Sequence, residues 1–182
     1  MRLLRTLRLD ASDGFVFDRA AEPGQWAVSG AFMFDPARVD ALSTKERVAF
    51  RGGLMGIADF GWSTLAVVVA ASAAERAEAV ETLARGLIER LGAPSREVAR
   101  AAAEEEIAFS ETLADHREGT IVAVKRSLEE GEVREQFRTL ARRTDGADPL
   151  QPAARVFQIV ESVEDGPAEE VNLAALAGGE AP

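Results

Sequence analysis

The sequence predicts an α+β protein: an antiparallel or mixed sheet, helices mainly on one face, and a polar C-terminal tail. Three observations carry that expectation. Extended runs gather at the start of the chain, two capping boxes open helical patterns in its middle, and a glycine-containing loop joins two further extended runs over residues 120–140. Strands that cluster with strands, and helices with helices, give an α+β sheet rather than an alternating βαβ layout.

Leu3, Leu7 and Leu9 alternate with Arg2, Thr6 and Arg8, the period of a half-buried strand that stops at the turn residues DASDG, 10–14. FVFDR from Phe15 and QWAVSGAFMF from Gln25 read as two more strands on either side of AAEPG, making an antiparallel meander. Ser43-Thr44-Lys45-Glu46 is a capping box, in which serine hydroxyl and glutamate carboxylate satisfy each other's orphan amides. A helix therefore starts near Thr44 and frays near Gly52 and Gly53. The glycines of RGGLMGIADFG, 51–61, lack the spacing of a phosphate-cradling loop and suggest close helix packing instead.

TLAVVVAA from Thr64 is a continuous β-branched run, as expected of a strand covered on both faces. Ser72-Ala73-Ala74-Glu75 is a second capping box, followed by Ala77, Val80, Leu83, Ala84, Leu87, Ile88 and Leu91 at helical spacing until Gly92 and Pro94. Another helix follows Ser95 toward Asp115 and is closed by Gly119. TIVAVKRS and VREQFRTL flank Leu-Glu-Glu-Gly-Glu and predict a hairpin, with a helix from Val133 to Arg143 as the alternative. One domain over residues 1–143 is expected, followed by an extension over 144–182 whose apolar island, RVFQIV, contains Phe157.

At 182 residues the chain is long enough to bury about two-thirds of its unfolded surface without staples. It has no cysteine, which rules out thiol chemistry, Cys-ligated zinc and disulfide frameworks. The first 60 residues balance eight acids with eight bases, so the net charge of -10 arises downstream, and the last 22 residues hold six acids and no base. Such a chain is repelled by phosphate backbones and anionic lipids, so neither nucleic acid nor membrane is an expected partner. MRLLRTLRLD has no continuous apolar core, which argues against a secretory signal and for a cytoplasmic protein. The preference for arginine over lysine, with Asn172 the one asparagine, points to a GC-rich bacterial genome.

The most suggestive stretch for chemistry is AEEEIAFSETLADH, 103–116, which ends at the single histidine. On a helix, Val98, Ala102, Phe109 and Leu113 form a stripe, and Glu105 or Glu106 falls on it. Burial would raise that carboxylate's pKa unless an arginine pairs with it. Glu105 and His116 lie roughly 16 Å apart along the axis, too far to share an ion. Residue 113 is leucine, where a di-iron helix would place the glutamate of Glu-x-x-His. The segment therefore reads as a solvated helix face, with no metal, no cofactor and no catalytic residue assigned. Glu106, His116 and Arg138 remain as ligand-binding candidates, and Trp26 and Trp62, beside Gly24 and Gly61, with Phe60 and Phe157, as partner-binding candidates.

LLRTLRLDASDGFVFDRAAEPGQWAVSGAF, FGWSTLAVVV, AAAEEEIAF and LEEGEVREQFRTL give the chain its likeness over residues 3–142: it resembles an uncharacterised domain-of-unknown-function family of proteobacteria. The resemblance implies no activity and no catalytic residue. Such proteins look like neighbours of biotin/lipoate-ligase-like proteins and formate dehydrogenase accessory factors. The functional expectation is a non-catalytic accessory or assembly protein that binds another protein or a second copy of itself. The alternative is an enzyme or small-molecule-binding protein with a pocket near Trp26, Trp62, Glu106 and His116.

Overall fold

A computed structural model describes residues 1–9, 11–140 and 161–162. The expected domain boundary at 143, Phe157, and the extension apart from Glu161–Ser162 lie outside these residues. The first strand, β1 (Arg2–Leu7), occupies the interior of a sheet with eight strands among the described residues. Its partners are β2 (Trp26–Val28) on one side and β5 (Leu65–Ala70) on the other. Outward from β2 come β3 (Leu54–Gly56) and β4 (Trp62–Ser63). Outward from β5 come β6 (Ile121–Glu129), β7 (Glu132–Leu140) and β8 (Glu161–Ser162). Every neighbouring pair is antiparallel, so the sheet is antiparallel rather than mixed.

Position in the sheet explains why β1 is more buried than its alternation suggests. Successive strand residues face opposite sides, yet Leu3 is 1% and Leu4 0% exposed, while Leu9, beyond the strand, is 65% exposed. Leu3 joins Val28, Met55, Ile57 and Phe60 in a cluster completed by the long helices α3 (Ala73–Leu91) and α4 (Arg96–Leu113). Leu4 joins Ala27, Leu54, Ala66, Val68, Val122 and Val124 in a second cluster, with Leu113 and Phe137 packed against it.

Both capping boxes form as expected, opening α2 (Thr44–Gly52) and α3, and Gly92 ends α3 in the left-handed conformation. The hairpin forms too. Its two-residue turn, Glu130-Gly131, has φ of 53° and 83°, as required for a turn that matches strand twist, and the helical alternative for 133–143 gives way to β7.

The meander is where the structure departs from expectation. DGFV winds into a short helix, α1 (Asp13–Val16), because the buried Asp13 carboxylate accepts from the hydroxyl of Thr64 at 2.6 Å and from Ser63 at 3.4 Å. Phe17 is then buried and Phe15 is left 76% exposed. QWAVSGAFMF is strand only through Val28, since Gly30 turns the backbone at φ 77° into a 3-10 turn over Ala31–Met33. RGGLMGIADFG packs as strand edge, β3 and β4, not as helix. Its glycine at 53 allows close approach: a Cβ there would lie 2.8 Å from the Trp62 indole. The helical stripe of α4 is shifted by one residue from expectation, with Ala99, Ala103, Ile107 and Ser110 buried and Val98 and Phe109 partly exposed.

Phe60 adopts φ 59°, a left-handed conformation costly for a bulky side chain. Its ring is compensated by burial against Gly86 of α3. A Cβ at 86 would stand 2.3 Å from Phe60 Cε2. Gly86→Ala is therefore expected to destabilise the protein by about 1–3 kcal/mol through overpacking, measured by urea unfolding, although alanine is the better helix former. Among the described residues no helix is long and apolar enough to cross a membrane.

Candidate functional site

The strand alternation that buries Val122 and Val124 also turns Arg126 inward, leaving its side chain 0% exposed. Its cross-strand partner on β7 is Glu135, and Arg126 Nε donates to Glu135 Oε1 at 2.7 Å. Nη1 donates to the carbonyls of Gly53 at 2.7 Å and Phe50 at 3.1 Å, where α2 ends. Those carbonyls have no helical partner, so a guanidinium is a natural cap for them. Nη2 donates to the Ser29 carbonyl and, at 3.2 Å, to the Ser29 hydroxyl. The Ser29 hydroxyl in turn donates to Glu135 Oε1 at 2.5 Å. One buried arginine thus ties β6, β7, the end of α2 and the turn after β2 together.

Glu106 of α4 is the discordant member. Its Oε2 is buried without a hydrogen-bond partner. Burial, then the neighbouring Glu135 carboxylate, push its pKa up to about 7, although Arg126 pulls the other way. Burial also lowers the Arg126 pKa from its ordinary value, while Glu135 holds it up. The chemistry of this cluster is that of a cross-brace: its guanidinium is inaccessible and fully engaged.

Aromatic rings surround the brace. Phe34 stacks on Trp62 with ring centroids 5.1 Å apart and meets Phe50 edge-on at 5.2 Å. Of the residues singled out from sequence, Trp62 and Phe60 line one shallow depression of about 250 Å³ with Asp18, Arg19 and Lys45, but Phe60 is only 5% exposed. Trp26 lies under the guanidinium of Arg5, 3.6 Å from the ring centroid. His116 follows the end of α4, where its carbonyl accepts from Arg2. Arg138 sits at an exposed position of β7. Glu106 meets the Arg126 brace. Trp26, Glu106, His116 and Arg138 line neither this depression nor the larger groove described next.

That groove, about 490 Å³, runs between α2 with its preceding 3-10 turn (Pro36–Ala41) and the hairpin end of β6. Val39, Phe50 and Leu128 supply apolar wall, and Arg47, Arg51 and Lys125 supply three exposed cations against one acid, Asp40. Arg51 and Lys125 form no ion pair among the described residues. Pairing between β5 and β6 ends at Ala66–Val122, so from Ala123 to Glu129 the β5 side of β6 has no strand neighbour. In a hairpin closed by Glu129–Glu132, backbone groups alternate between partner and open side, which aims those of Arg126 and Leu128 at the groove. Among the described residues no three acidic or histidine side chains gather closely enough to hold a metal ion.

Sequence reading missed Arg126 and this groove. The signal for Arg126 was present in VAVKR, where it falls in phase with the two inward valines. The groove had no local signal, because its cations come from α2 and β6, more than 70 positions apart.

These features define an α+β protein on an antiparallel sheet, braced by a buried arginine and carrying a basic groove beside an open strand edge. The chain belongs to the family of unknown function DUF6505, whose model matches residues 1–153. No curated protein and no solved structure matches it.

Proposed function

We propose that the protein is a non-catalytic, cytoplasmic accessory protein that captures an extended acidic segment of a partner protein by adding it to the open edge of β6. The observation that carries this reading is the coincidence of unpaired strand edge and unpaired cations in one groove. Strand addition uses main-chain hydrogen bonds for affinity and flanking side-chain pockets for specificity. Arg47, Arg51 and Lys125 would select acids, and half-buried Leu128, backed by the buried Val39 and Phe50, would take an apolar side chain. In a chain of net charge -10, a local cationic groove also directs an acidic partner to one place. Both tryptophans are half-buried and already engaged, Trp62 stacked on Phe34 and Trp26 under Arg5, and neither lines this groove.

Titration of ¹⁵N-labelled protein with a ten-residue peptide of alternating glutamate and valine tests the reading. Saturable shifts are expected at the Arg126 and Leu128 amides, weakening with salt and lost in Arg51→Ala/Lys125→Ala. Shifts elsewhere only, or none at millimolar peptide, would overturn it.

A further inference from the structure

The chain carries its own candidate for that groove. β8 pairs with β7 through Thr139–Ser162 and Leu140–Glu161, so β8 itself points toward the hairpin turn. Lys125 pairs with Gln136 and Leu128 with Val133, which places the groove only three to six positions nearer the turn than Thr139. Continuing at about 3.3 Å per residue, five or six residues reach that level, and the two strands to be crossed are about 4.8 Å apart. The 20 residues after Ser162 are ample for that path. They contain Glu164, Asp165, Glu169, Glu170 and Glu180 with no base, and Glu169-Glu170 are followed by Val171 and Leu173. Acids followed by alternate apolar side chains match the groove's Arg51 and Lys125 beside Val39, Phe50 and Leu128.

We propose that residues 163–182 of the same chain dock in the basic groove along β6 and compete there with the acidic partner segment. This inference rests on the groove binding acidic segments, and adds that the groove is regulated from within. A tethered segment acts as a competitor at millimolar effective concentration, so a partner must displace it before binding. The groove is then open only to segments that outcompete the tail, or when the tail's charge is masked.

The absence of cysteine permits a direct test on the chain of residues 1–182. A nitroxide on Ala174→Cys is expected to broaden the Arg126 and Leu128 amides, and the broadening should vanish in the background Glu164→Gln/Asp165→Asn/Glu169→Gln/Glu170→Gln. A mixture of ¹⁵N-labelled unmodified protein with unlabelled nitroxide-bearing protein should show none. Absence of broadening in the first sample, or equal broadening in the mixture, would overturn docking within one chain. The glutamate-valine peptide should bind the tail-neutralised chain about tenfold more tightly than the native chain. Equal binding to both would overturn the regulation and leave the groove intact, whereas failure to bind the neutralised chain would overturn the groove as well.

Discussion

Arg126→Met is expected to lower stability by about 3–5 kcal/mol, the cost of removing one partner from a buried ion pair. The loss has two sources. Glu135, 16% exposed, loses its cation, and the carbonyls of Phe50, Gly53 and Ser29 lose their common donor. At about 2–4 °C per kcal/mol for a chain of this size, the melting temperature should fall by about 10 °C. Arg126→Met/Glu135→Met should recover part of the loss, because the stranded charge goes with its partner. A single substitution costing under about 1 kcal/mol would show that the brace is dispensable.

Glu106→Gln should stabilise the protein at pH 8 and remove a pH dependence from the native chain. The folded-state pKa is about 7 against an ordinary value of 4.5, so the folded state holds a proton that the unfolded state releases between those values. Stability therefore falls as pH rises from 4.5 to 7 and is flat, from this group, outside that window. At about 1.4 kcal/mol per pKa unit the full penalty is about 3.5 kcal/mol, and partial exposure reduces it to about 2. Urea unfolding at pH 5, 6, 7 and 8 measures it. After burial, the charges around Glu106 act in the order Glu135, which raises its pKa, Arg126, which lowers it, and Glu105, which raises it. In the Arg126→Met background the decline should extend to higher pH. A native stability profile unchanged by Glu106→Gln would refute the burial argument.

The elements legible in the sequence were those whose signals are local. The capping boxes at Ser43 and Ser72, the periodic face of α3 and the glycine turn at Gly131 each specify their own backbone within a few residues. The expected desolvation of a carboxylate in α4 also holds for Glu106, although the stripe around it is displaced by one residue. What local pattern does not specify is pairing at a distance. Asp13 reaches Thr64, so FVF does not form a strand, and Leu54–Gly56 pairs with Ala27–Val28 on the other side of a helix in sequence. Arg126 required knowledge of both what lies opposite it on β7 and which helix ends beneath it.

The interior place of β1 has a consequence for how the protein comes into being. β1 precedes all its partners along the chain: Leu4 is completed by Ala27 on one edge and by Val68 on the other, and Leu3 packs in a cluster that includes Ile107 of α4, further on still. Contacts so distant along the chain demand costly loop closure before they reward it. β1 must therefore wait with both edges and two leucines uncovered until its partners are made, so this sheet assembles late rather than by early local collapse.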